Sequence, residues 1–180
     1  MIVAANEGWS ALTLERIAAE LLVPVQEARS VCPTVHSIIE ALINQVDRTA
    51  LDESAHFQDE DTVRDRLFAL LMARLDALQV YKPAMQKLPP CLSNRPLFVF
   101  SHLPRLMTSM AFMLEVAGVP PSGPMGAIRT KGLALVYLAA FRVWLRDDTE
   151  NQAATMATMD KGLSRAEMLA LQLSPKRARS

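Results

Sequence analysis

From Leu14 to Leu78 the apolar side chains return every three or four positions, while proline and glycine sit mostly between the apolar stretches. Leu14, Ile17, Ala18 and Leu21 fall on one helical face. Ile38, Leu42 and Val46 repeat by four, and Val63, Leu67, Leu70, Leu71, Leu75 and Leu78 form a longer stripe. This is the period of a helix, not the two-residue period of a strand. The rest of the chain continues it, so an all-α fold of about nine helices is expected, at residues 2–7, 14–22, 24–31, 33 onward, 61–79, 83–88, 97–117, 125–146 and 149–173. Punctuation supports these limits. Thr13 and Thr149 are suited to cap helix N-termini, Pro24 to open a helix, and Gly8 and Gly118 to close one. The proline-rich runs LPPCLSNRP (88–96) and VPPSGP (119–124) read as breaks, the acidic stretch 58–61 as a loop, and SPKRARS (174–180) as a disordered tail.

With 51% hydrophobic and 21% charged residues, the 180-residue chain has the material for a packed core. The expected organisation is a helix-turn-helix head over residues 1–52, a helical bundle over 61–173 and the tail at 174–180. The formal net charge is zero, which gives no overall attraction to nucleic acid or anionic membrane. Cys32 and Cys91 make no disulfide framework, and the first residues lack the basic and apolar regions of a signal peptide, so a cytoplasmic location is expected. The most apolar run, residues 132–145, contains Arg142 and is shorter than the ~20 residues of a membrane span, so no integral membrane segment is expected.

Charge and pattern disagree within the head. Residues 1–51 hold three cations (Arg16, Arg29, Arg48) against six anions, and the first lysine of the chain is Lys82. A head that binds DNA normally neutralises phosphates with Lys and Arg. The bundle carries a different signal. Of ten methionines, Met107, Met110 and Met113 recur by three on one helix. Tyr137, Phe141 and Trp144 share a face of the next. Methionine is unbranched and polarisable, so these six residues are candidates to line an apolar cavity, with His102 a polar candidate beside them. Catalysis is not expected. His36, His56 and His102 stand apart from Cys or carboxylates at metal spacing, and no phosphate loop or nucleophile elbow is present. Asp147 and Asp148 read as capping residues, and neither a cofactor nor a metal is expected.

The run TLERIAAELLVPVQEARSVCPTVHSIIEAL resembles the head of tetracycline-repressor (TetR) family regulators in Gly8, Thr13, Ile17, Ala18, Val23 and the Ile38/Leu42 stripe. It departs from that pattern where the turn serine is Pro24, the small residue opening the recognition helix is Gln26, the aromatic pair is Arg29 and Cys32, and the phosphate-contacting lysine falls at Val35. The resemblance implies a homodimer joined through the last two helices, where Ala153, Ala154, Ala157 and Ala166 allow close approach. It also implies an apolar small-molecule pocket in the bundle, and operator DNA as partner through the remaining candidates Thr13, Gln26, Arg29 and Ser30. A second resemblance, to coenzyme Q biosynthesis accessory proteins of the same fold, rests on Ala117-Gly118, RTKGLALVY, VWLRDD, Thr155 and Asp160, with GWSAL in the head. It implies an alternative, a lipid- or isoprenoid-binding protein of ubiquinone biosynthesis that does not bind DNA.

Overall fold

The computed structural model describes residues 1–87 and 96–173. Among them are nine α-helices and no strand: α1 (Ile2–Glu7), α2 (Leu14–Glu20), α3 (Val25–Val31), α4 (Val35–Asp52), α5 (Val63–Ala77), α6 (Lys82–Gln86), α7 (Pro96–Val116), α8 (Gly123–Trp144) and α9 (Ala153–Leu173). The expected all-α fold is therefore observed. Most of the break at 88–96, including Cys91, and the tail at 174–180 lie outside the described residues, as does the side chain of His102.

Local chemistry sets several helix starts. Thr13 Oγ1 accepts the Arg16 backbone N–H at 3.2 Å and caps α2. Thr34 and Ser37 form a reciprocal capping box on α4, and Thr62 and Asp65 form another on α5. The Thr62 hydroxyl and backbone N–H both donate to Asp65 Oδ2, at 2.6 and 3.2 Å, and hold its carboxyl below its ordinary range. Pro24 is the N-cap of α3, so the helix begins at Val25, one residue later than expected.

Several boundaries shift by a few residues, as where α4 begins at Val35 rather than Pro33, and two shifts have clear physical reasons. α2 ends at Glu20 because Leu22 turns left-handed, with φ 55°. Leu21 then leaves the buried face and is 63% exposed. The last helix starts at Ala153, not at Thr149. Asp147 Oδ1 accepts the Thr149 N–H and hydroxyl, while Oδ2 accepts the Thr155 N–H at 2.9 Å and hydroxyl at 2.7 Å. These bonds fold residues 149–152 into a turn, closed by Gln152 at φ 50°, before the helix proper. Thr149 still serves the helix, since its Oγ1 accepts the Ala153 N–H at 3.3 Å.

There are two apolar cores. The larger joins α4, α5, α7, α8 and α9 around Leu70, Leu71, Leu75, Met110, Met113 and Trp144. α8 and α9 cross closely at Gly162, where an added Cβ would meet Val136. The smaller core holds Val3, Ala4 and Leu12 together with Ala84 of α6, and Trp9, Ile17 and Val35 pack against it. α6 is tied in both directions. Trp9 Nε1 donates to Ala84 O at 2.7 Å and Lys87 Nζ to Asn6 O at 2.8 Å. On the other side Lys82 Nζ donates to Asp147 O at 2.6 Å and Gln86 Nε2 to Leu145 O at 3.0 Å.

Candidate functional site

α2 and α3 are joined by a Schellman turn. The Val23 N–H reaches Ala18 O at 3.0 Å and the Leu22 N–H reaches Ala19 O at 3.3 Å. Pro24 O then accepts the N–H groups of Glu27 and Ala28 and starts α3. No residue of α3 is buried, so the helix rests on the head by half-buried Val25 and Ala28 and turns Gln26, Glu27, Arg29, Ser30 and Val31 to solvent. Thr13, at the start of α2, is exposed as well. The four DNA-facing candidates are thus solvent-accessible, yet three already have intramolecular partners. Thr13 caps α2, Arg29 Nη2 lies 4.0 Å from Glu15 Oε1, and the Ser30 hydroxyl donates to Glu27 O at 2.7 Å. Arg16 pairs with Glu7, so two of the head's three cations face carboxylates of the head itself. Leu21, Leu22 and Val31 add exposed apolar side chains at the ends of α2 and α3.

In the bundle all six cavity candidates meet in the larger core. Met110, Met113, Tyr137 and Trp144 are buried, while Met107 and Phe141 are half-buried against them. Phe141 stacks on Trp144 with ring centroids 5.4 Å apart, and Tyr137 lies 6.1 Å from Phe141. Trp144 Nε1 donates to Gln79 Oε1 at 3.1 Å, and Lys82 Nζ sits 5.5 Å from its ring. A separate open groove of about 390 Å³ runs between α5 and α9, lined by Phe68, Met156 and Ala157 with Arg64, Asp65 and Asp160 at its rim. None of the six candidates lines it.

The sequence reading missed a buried polar cluster between α4, α5 and α7. Asp47 accepts hydrogen bonds from Arg74, from Arg105 Nη2 at 2.8 Å and from the Ser109 hydroxyl at 2.6 Å. Arg74 also donates to Ser109, and its guanidinium lies 5.1 Å from the centre of the Tyr137 ring. The signal was present in helical phase. Arg74 falls three and four residues after Leu71 and Leu70 on the apolar stripe of α5, and Asp47 lies beside Val46 on that of α4. A charge on a buried stripe requires a partner. No group of three or more His, Cys, Asp or Glu among the described residues is arranged to hold a metal, and no described helix is long and apolar enough to cross a membrane.

The helix order and packing match solved structures. One is described as the TetR transcriptional regulator from Nitrosomonas europaea ATCC 19718, with a TM-score of 0.73 and 24% identity over 92% of each chain. The chain has the TetR-type fold. At that identity the likeness establishes the fold alone. No protein-family model matches the sequence, and no match is found among curated proteins.

Proposed function

We propose that this protein is a TetR-type transcriptional regulator. It works by binding, not by catalysis, and takes DNA as a homodimer through α2 and α3. A small apolar ligand held among Met107, Met110, Met113, Tyr137, Phe141 and Trp144 shifts the dimer between two head spacings. The observation that carries this reading is the likeness over 92% of both chains to a protein described as a transcriptional regulator. The exposed outer face of α3, with Gln26, Arg29 and Ser30 on it, supports it. Thr13 is the remaining phosphate contact. The outer face of α8 exposes Ile128, Leu135 and Leu138, and α9 exposes Met168, Leu169 and Leu171. Apolar side chains repeated along two adjacent helices suit a two-fold interface between copies of the chain. Cytoplasmic placement follows from the same role.

Fluorescence anisotropy against the DNA upstream of the protein's own gene tests the reading. A complex below about micromolar at physiological salt is expected, weakened by Arg29→Ala. Absence of binding even at low salt refutes it. A second reading, a lipid- or isoprenoid-binding accessory protein of ubiquinone biosynthesis with a head kept for packing, is favoured by one observation. Arg16 and Arg29 are paired within the head, and Leu21, Leu22 and Val31 are exposed at the ends of the helices that would meet DNA. Co-purified lipid in native mass spectrometry, together with no DNA binding, would select it.

A further inference from the structure

The geometry points to Arg74 as the residue that recognises the bundle ligand, and to an apolar molecule bearing a carbonyl oxygen as that ligand. This inference rests on the ligand role proposed for the bundle interior. Arg74 is 4% exposed and presents a planar fork of five N–H donors. Its Nη1 is committed to Asp47 and Ser109, but its Nε is buried with no hydrogen-bond partner. Two other buried polar atoms are in the same position, Arg66 Nε and Gln152 Oε1, but they belong to half-buried side chains nearer the surface. A buried donor without an acceptor is costly, and native interiors rarely keep one.

The location supplies the rest of the chemistry. The guanidinium lies over Tyr137, and Ser109 directly precedes Met110, so Arg74 borders the same methionine and aromatic side chains proposed to hold an apolar molecule. Methionines repack around an inserted ligand more readily than branched side chains do. Desolvation decides the type of acceptor. Asp47 is already paired with both Arg74 and Arg105, so a ligand carboxylate would lose its hydration in an apolar interior with only one N–H of a shared guanidinium in return. A neutral carbonyl accepts the Nε–H without that cost. Because the same guanidinium holds Asp47 of α4, a carbonyl that draws on Arg74 also alters the tie between α4 and α5.

Equilibrium dialysis of the full chain with 2-undecanone and with n-undecane, quantified by gas chromatography, tests the assignment. Wild type is expected to bind the ketone roughly tenfold more tightly than the alkane. In Arg74→Lys, which keeps a cation for Asp47, the ratio is expected to fall to about one with the alkane affinity unchanged. The double variant Asp47→Leu/Arg74→Met removes the buried pair as a unit, guards against a folding defect in the single variant, and is expected to lose the preference too. Equal binding of the two probes by wild type, or a preference that survives in both variants, overturns the role of Arg74 and leaves the pocket standing. Tighter binding of decanoate than of 2-undecanone overturns the neutral-carbonyl assignment. Binding of none of the three overturns the pocket itself, and this inference with it.

Discussion

Leu22→Gly is expected to stabilise the protein, although it removes a large apolar side chain. Leu22 occupies the left-handed C′ position of the Schellman turn between α2 and α3, with φ 55°. That conformation costs an L-residue with a Cβ about 1–2 kcal/mol, and glycine adopts it freely. The side chain is 93% exposed, so almost no apolar burial is lost. Against the relief stands the extra entropy of glycine in the unfolded chain, about 0.4–1 kcal/mol. The difference is a gain centred near about 0.8 kcal/mol, within a range of about 0–1.6, equivalent in a chain of this size to a rise in Tm of about 2–3 °C. Helical circular dichroism followed through thermal and urea unfolding measures it. Leu21→Gly is the control. Leu21 is right-handed, with φ −85°, so glycine there relieves nothing and is expected to lower stability by about 0.5–1 kcal/mol. A lower Tm for Leu22→Gly than for wild type would refute the reasoning, because it would mean that the side chain makes a contact worth more than the backbone strain.

Asp47→Asn leaves Arg74 buried without its counter-charge and is expected to cost about 3–5 kcal/mol in urea unfolding, whereas Arg105→Ala, whose side chain is 23% exposed, costs about 1 kcal/mol or less. Hydrogen bonds from Thr149 and Thr155 hold the Asp147 carboxyl well below the usual carboxylate range, so its stabilisation is complete above the unfolded value of about 3.9 and fades as pH falls below it. The Tm gap between wild type and Asp147→Asn should accordingly be constant from about pH 7 to 5 and narrow below about pH 4, and a gap unchanged down to about pH 2 would contradict this. Gly126→Ala places a Cβ against the backbone carbonyl of Pro121 and should destabilise by about 2–3 kcal/mol in thermal melts. Gly132→Ala on the same helix meets nothing within 4 Å and should stabilise by up to about 1 kcal/mol.

The sequence made the helices legible because their signals are local. Apolar spacing marked α4 and α5, and Thr13 marked the start of α2. The errors arose where a distant or tertiary effect decided. Leu21 fits the apolar face of α2 by spacing, but the left-handed Leu22 next to it ends the helix and turns Leu21 outward. Thr149 looked like the first cap of the last helix, but Asp147 gathers Thr149 and Thr155 into one turn and delays the helix by four residues. The six bundle candidates were found together because their helical phases agree. Arg74 and Asp47 were not legible as a cluster, because a buried charge acquires meaning only from its partner on another helix. The charge deficit of the head was visible in the sequence. That Arg16 and Arg29 are spent on Glu7 and Glu15 was not, since those pairs depend on how α1 and α3 lie against α2.

The short helix α6 bears on how the head of this chain could be moved onto another bundle. Ala84 completes the smaller core, and the backbone of α6 and the adjoining Lys87 hold Trp9 and Asn6, so the N-terminal helices rely on a segment encoded some thirty residues after the end of α4. A cassette cut after residue 52 and transplanted onto another bundle would arrive with Val3, Ala4 and Leu12 uncovered. A working chimera has to carry residues 82–87 along with the first 52, or find in its new host a helix with a small residue where Ala84 stands.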